Sequence, residues 1–382
     1  MSEKRNVPKL RFPFFGTWEE KKIQEIAPLQ RGFDLPVSQI EEGEFPVVFS
    51  NGMLKYHTQF KVEAPGIVTG RSGTIGNVTF VEKNFWPHNT SLWITNFFGN
   101  EPKFIYYFYI NLKLDRFGTG SGVPTLNRND IHILTSHIPS IQEQQKIAEF
   151  LTAVDRRIEL LQAKKKKLEA YKKGVMQQIF SQKLRFKADD GSDFLDWEER
   201  KLAEVARIFD GTHQTPKYVK EGIPFYSVEH VTANQFTKTK YISKKVFDAE
   251  SKRVKLEKGD ILMTRIGSIG VAKVIDWDVN ASFYVSLALL KTNSTTDSKF
   301  LSFCIANVDF QKELWKRTIH VAFPQKINLG EIGECRVIMP VLDEQIKIAK
   351  FLTGLDTSIE NLNQQINHTQ TWKKGLLQKM FV

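Results

Sequence analysis

The chain has 382 residues, 41% hydrophobic and 25% charged, with a formal net charge of +11 and a pI near 9.3. That length accommodates two globular domains plus helices, and the composition excludes a wholly disordered chain. Only Cys304 and Cys335 are present and no histidines cluster around them, so neither a disulfide framework nor a zinc site is expected, while the basic excess suggests a polyanionic partner.

In chain order, the polar start Met1–Asn6 has no apolar signal core behind it. The longest apolar runs, Phe104–Ile110 and Val285–Leu290, are too short to span a bilayer. A cytoplasmic chain without a membrane partner is therefore expected. Trp18-Glu-Glu is predicted to open a short amphipathic helix anchored by the indole. Residues 33–62 contain Phe49-Ser-Asn-Gly52 and Lys55-Tyr-His57. Next, Val68-Thr-Gly-Arg71-Ser-Gly73-Thr-Ile-Gly76 follows a β-branched run and reads as a tight loop between strands, its backbone exposed and one cation at its mouth. Phe104–Ile110 has no polar alternation and is assigned to the core rather than to base stacking. The glycine cluster Phe117–Gly122 runs straight into Val123-Pro124 instead of opening a helix, which argues against an adenosylmethionine loop.

From Pro139 the pattern becomes a single long helix. Ile147, Leu151, Val154, Ile158, Leu161, Lys165, Leu168, Lys172, Val175 and Ile179 alternate steps of four and three, a heptad seam that calls for a partner helix. Ser140 and Glu143 have capping-box spacing. The charge excess is densest on this helix, chiefly Lys164–Lys167.

The chain then repeats itself. Leu10-Arg-Phe12 and Trp18-Glu-Glu return as Leu184-Arg-Phe186 and Trp197-Glu-Glu, with a polar link Asp189–Asp193 between them. The interval 211–258 carries Gly211-Thr-His-Gln-Thr-Pro-Lys217 and a basic run of Lys238, Lys240, Lys244, Lys245, Lys252, Arg253, Lys255 and Lys258, interleaved with Tyr241 and Phe247. That run is a candidate phosphate-tracking surface. Leu262-Met-Thr-Arg265-Ile-Gly267-Ser-Ile-Gly270 echoes the earlier Arg/Gly loop, and Phe323-Pro324-Gln-Lys-Ile-Asn328 echoes Val123-Pro124-Thr-Leu-Asn127. Finally the long helix returns from Pro340. Ungapped, 18 of 42 positions are identical between the copies ending at Phe180 and Phe381. Val341 stands where Ser140 did, which makes Asp343 the expected cap of this copy. An internal duplication thus sets the architecture.

No Walker-type phosphate loop, no Asn/Asp-Pro-Pro-aromatic tetrapeptide and no H-E-x-x-H is present. The chain reads as one that binds rather than reacts, with no catalytic and no metal-ligating residue assigned.

Two variable halves, each followed by the same helix, together with Glu143-Gln144, Ile147, Phe150-Leu151 and Glu344-Gln345, Ile348, Phe351-Leu352, resemble the DNA-specificity (S) subunits of type I restriction–modification systems. The resemblance spans essentially the whole chain. It implies an α+β fold with two target-recognition domains, at 1–138 and 184–339, and two antiparallel coiled-coil spacer helices, at 139–183 and 340–382, in a pseudo-two-fold repeat. It also implies a bipartite, asymmetric double-stranded DNA site and docking of two methyltransferase subunits on the repeated helix motifs, with restriction/translocase subunits joining. Adenosylmethionine, ATP and Mg²⁺ would belong to those partners. Candidate DNA readers are Asn51, Lys55, Tyr56, Arg71 and Thr125 in the first half. In the second they are His213, Lys217, Tyr226, Arg265, Gln325 and Lys326. Their amides and cations can pair with base edges, and the others can stack or touch phosphate. The rival classes are a coiled-coil assembly protein without DNA readout and a DNA-modifying enzyme with unfamiliar motifs.

Overall fold

The computed structural model describes residues 7–382 apart from Phe14 and Ser121. Packing divides the chain into two units, Met1–Lys164 with Leu362–Val382, and Lys165–Asn361. The division falls inside the long helices rather than at the expected domain edges, so each unit owns one globular domain and a length of both helices.

In the first unit a four-stranded antiparallel sheet runs in the order Leu29–Arg31, Ser91–Ile94, Gly66–Gly70, Val78–Val81. Its central strand Gly66–Gly70 is buried at every position, which suits a β-branched run covered on both faces. A smaller sheet joins the hairpin Phe45–Phe49 and Gly52–His57 to the short parallel strand Trp86–Pro87. Helix Pro102–Asn111 is capped by Glu101 and buries Phe104, Ile105, Tyr107, Phe108 and Tyr109, the core placement expected of that run.

The second unit repeats the scheme. Its main sheet runs Ala206–Asp210, Leu287–Thr292, Ile261–Thr264, Ala272–Val274. Its smaller sheet runs Tyr218–Val219, Lys240–Ile242, Ile223–Tyr226, Ser282–Phe283. The Arg/Gly loops connect equivalent strands in both units, as expected, and all four echoed glycines have left-handed φ: Gly73 at 83°, Gly76 at 83°, Gly267 at 80° and Gly270 at 85°. A side chain would be strained at each of these positions, which accounts for the G-x-x-G echo.

The Trp-Glu-Glu segments differ from expectation. Glu19–Lys22 is a strand paired antiparallel with Thr135–Ile138, and Glu198–Lys201 pairs likewise with Arg336–Met339; the short helices Ile23–Ile26 and Leu202–Val205 follow them. Backbone pairing with the segments that lead into the long helices overrides local helical propensity here. Trp18 and Trp197 are nevertheless buried anchors.

The long helices span Ile141–Phe180 and Leu342–Met380. The seam is realised: Ile147, Leu151, Val154, Ile158, Val175 and Ile179 are buried, and Leu161, Lys165, Leu168 and Lys172 between them are half-buried. Each buried aliphatic side chain contributes about 1.5–3 kcal/mol. The helices run antiparallel in each unit. Leu10 N–H donates to Lys379 O near the end of the second helix, while the neighbouring Arg11 reaches Glu143 at the start of the first. In the other unit Leu184 N–H donates to Gln178 O, and Arg185 reaches Glu344. Neither expected cap is made. The Glu143 carboxylate is used by Arg11 and Trp18, and Asp343 lies within the helix that Leu342 opens.

Candidate nucleic-acid interface

Each globular domain gathers its echoed loops at one end of its main sheet. In the first, Arg71 N–H donates to Thr90 O (2.9 Å), Leu126 N–H to Arg71 O (2.7 Å) and Gly73 N–H to Pro124 O (3.0 Å). Ser50 N–H, in the hairpin turn, donates to Thr90 Oγ1 (3.3 Å). Asn51, Arg71 and Thr125 are therefore brought onto one loop cluster. Lys55 and Tyr56 are exposed on the outer strand of the same hairpin, which is an edge of its sheet among the described residues.

The second domain builds the same frame. Arg265 N–H donates to Ser286 O (3.0 Å), Ile327 N–H to Arg265 O (3.0 Å) and Gly267 N–H to Gln325 O (2.8 Å). The Arg265 side chain is half-buried; its Nε donates to Val285 O (3.0 Å) and its Nη1 to Ile327 O (3.3 Å). Burial pulls its pKa below the usual guanidinium range. Arg265 thus ties three loops together, a framework role that sequence reasoning did not assign. Gln325 and Lys326 stand exposed beside it.

Next to this cluster, Asp210 accepts from His213 Nε2 (2.6 Å) and from Arg253 Nη1 (2.5 Å). Burial pushes the Asp210 pKa up, but the bonds from Arg253 and then His213 outweigh it, so the net value lies below the usual carboxylate range. Arg253 also donates to Gly211 O (2.9 Å) and so pins the 211–217 loop that presents exposed His213 and Lys217. Arg253 was legible only as one cation in a basic run; its partner lies 43 residues away and gives no local signal. Of that run, Lys238, Lys240, Lys244, Lys245, Lys252, Lys255 and Lys258 are exposed. Lys244 and Lys258 pair with Asp248 and Asp278, which reduces the free charge.

Tyr226 requires correction. It is 4% exposed and packs against Phe236 and His230 in the core, because Ile223–Tyr226 is an inner strand of the smaller sheet. It cannot touch a base without unfolding that sheet.

The repeated helix motifs face inward. Glu143 is 1% exposed and accepts from Arg11 Nε (2.7 Å), Arg11 Nη2 (2.7 Å) and Trp18 Nε1 (3.2 Å). Glu344 accepts the same set from Arg185 (3.2 and 2.8 Å) and Trp197 (3.0 Å). Gln144 accepts from Glu101 N–H (2.9 Å) and donates to Asn100 Oδ1 (2.9 Å) and Pro139 O (3.0 Å). Gln345 does the same with Asp297 N–H (2.9 Å), Thr295 O (3.1 Å) and Pro340 O (2.8 Å). Ile147, Leu151, Ile348 and Leu352 are buried, and Phe150 and Phe351 pack on Phe12 and Phe186. These ten side chains bind each domain to its helices and are spent inside the chain. A docking surface on either helix would use its outer faces instead.

Among the described residues no group of three or more His, Cys, Asp or Glu is placed to hold a metal, and no helix is long and apolar enough to cross a membrane.

Two tandem copies of one loop-bearing domain, each stapled to a shared pair of antiparallel helices, define a class that sequence comparison recognises. The chain belongs to the type I restriction modification DNA specificity domain family, whose model matches residues 16–170 and again 195–369. It is 25% identical over 272 residues to the type I restriction enzyme MjaVIII specificity subunit of Methanocaldococcus jannaschii, covering 68% of this chain and 64% of that relative. To the EcoBI specificity subunit of Escherichia coli it is 22% identical over 267 residues, covering 64% of this chain and 56% of the relative. The matched region is thus less than two thirds of either relative's length. In fold, the chain is similar to the crystal structure of a type I restriction-modification S subunit from M. genitalium, with a TM-score of 0.68 at 18% identity over 98% of this chain and 99% of the other. A chain from a structure on complex assembly and conformational transition of the type I R-M system gives a TM-score of 0.58 at 16% identity, covering 98% of each.

Proposed function

We propose that the chain is the sequence-reading subunit of a type I restriction–modification complex. Each domain reads one part of a bipartite, asymmetric double-stranded DNA site. The long helices set the unread gap and carry two methyltransferase subunits on their outer faces, with restriction/translocase subunits joining that assembly. Adenosylmethionine, ATP and Mg²⁺ act in those partners, and this chain supplies the address. The observation that carries the proposal is the duplicated frame with different outer elements: equivalent backbone hydrogen bonds hold Arg71 and Arg265, while Asn51 and Lys55 stand on a simple hairpin in one domain and His213 and Lys217 on a loop pinned by Arg253 in the other. A near two-fold protein with unlike reading surfaces suits an asymmetric two-part site, as a symmetric dimer suits a palindrome.

The test is a map of methylated adenines in cells expressing this chain with its methyltransferase partner. Inserting one heptad into each long helix adds about 10 Å at 1.5 Å per residue, roughly three base pairs of DNA. The expected map keeps both half-site sequences and lengthens the gap. Altered half-sites with an unchanged gap would overturn the proposal.

A further inference from the structure

The loop closed by the Ile319–Lys326 pairing is one residue longer than its counterpart closed by Thr119–Thr125. The longer loop carries Phe323, which is fully exposed at 103%, and Val321 at 97%. Its base is not loose. Ile319 N–H donates to Lys326 O (2.8 Å), Gly267 N–H to Gln325 O and Ile327 N–H to Arg265 O, so the tip is held on the same frame as the candidate readers Gln325 and Lys326. Just before the loop, Trp315 is 67% exposed and packs on His320 at 4.7 Å between ring centroids. The result is an aromatic tip in water, flanked by an amide and an ammonium group. A Phe ring that its own chain leaves uncovered contributes no core packing, and here it shares one pinned loop with exposed Val321.

We propose that Phe323 is a stacking wedge for duplex DNA, entering against a base-pair step of the half-site read by the second domain. This rests on the DNA-reading assignment above. The occupant is DNA rather than protein because the tip is continuous with Gln325 and Lys326, which offer base-edge and phosphate chemistry on either side of an apolar group. Apolar side chains inserted at a base step with flanking polar and basic groups are an established means of local unstacking. Among the described residues, the corresponding loop of the first domain exposes Val123, at 65%, as its large apolar side chain, and Val123 lacks a ring face. Unstacking is therefore confined to one half-site.

The experiment uses the chain in complex with its methyltransferase subunits and duplexes bearing the site found by methylation mapping. Each duplex carries 2-aminopurine at one position. The wild-type complex should raise fluorescence at a single step in one half-site. Phe323→Ala should abolish that signal and weaken site affinity roughly tenfold, the size of one base–aromatic stack. Phe323→Trp should restore both, and Val123→Ala should change neither. If Phe323→Ala leaves the signal and the affinity intact, or if the wild type binds the site without any signal, the wedge is wrong. If Phe323→Ala weakens only assembly with the methyltransferase, the tip is a protein contact and the proposal is overturned while DNA reading stands. A wild-type complex that does not prefer the mapped duplex over a scrambled one removes the DNA-reading assignment, and the wedge with it.

Discussion

The parts of the two units that bind domain to helix are nearly superimposable in chemistry, whereas the outer sheets are not. Arg11, Trp18 and Glu143 find the same partners as Arg185, Trp197 and Glu344, and Asp155–Lys373 (2.5 Å) is matched by Asp356–Lys172 (2.5 Å). In the outer sheets, Phe45–Phe49 turns straight into Gly52–His57 in the first unit. The second unit interposes helix Val228–Thr232 between Ile223–Tyr226 and Lys240–Ile242, and adds a further strand, Tyr218–Val219, on the edge. The difference has a physical cause. A buried carboxylate with three donors tolerates no piecemeal change, because removing any member strands the others. An exposed hairpin carries no such penalty, so its sequence is free to change with its ligand.

The largest effect should come from breaking the staple. Glu143→Ala leaves the Arg11 guanidinium and the Trp18 indole N–H without their acceptor and should destabilise the first unit by about 3–4 kcal/mol, read as a lowered urea midpoint with the second unit's transition unmoved. Glu344→Ala should do the reverse. An equal loss in both units from either change would show that the two staples are not independent.

A smaller effect should come from the frame itself. Arg265→Ala removes the donors to Val285 O and Ile327 O and loosens the loops that carry His213, Gln325 and Lys326. The expected outcome is a loss of about 1–3 kcal/mol in discrimination at the second half-site only, measured as relaxed methylation there. Relaxation at the first half-site would contradict the assignment of one domain to each part of the site.

The repeat, the long helices that need a partner, the Arg/Gly loops and the buried Phe104–Ile110 run were legible because periodicity and duplication report burial directly; the antiparallel direction of the helices came only from the family resemblance. The Trp-Glu-Glu strands were not, since their pairing with Thr135–Ile138 and Arg336–Met339 spans more than a hundred residues. For the same reason Tyr226 passed for a reader: aromatic chemistry was visible, but its place on an inner strand was not. Glu143 and Gln144 stood out as a motif, yet whether a motif faces a partner or its own fold depends on what packs over it. Here Arg11, Trp18 and Asn100 do.

The smallest expected difference between the units is acid sensitivity. Asp210 is held below the usual carboxylate range: burial pushes its pKa up, but Arg253 and His213 more than compensate. A carboxylate whose folded pKa lies below its unfolded value adds stability that is fully present above the unfolded value and is lost as pH falls through the folded one. The first unit has at the corresponding strand end an exposed pair, Arg31–Asp34, with side chains 51% and 73% accessible. Exposed pairs of this kind contribute about 0–1 kcal/mol. Acidification from pH 5 toward 2 should therefore loosen the 211–217 loop, followed as faster amide exchange there, with less change around Asp34. Asp210→Asn should remove that pH dependence, and at pH 6 should reproduce the fast exchange the wild type shows only in acid. If the variant exchanges at pH 6 as slowly as the wild type, the Asp210–Arg253 bond is not what holds the loop.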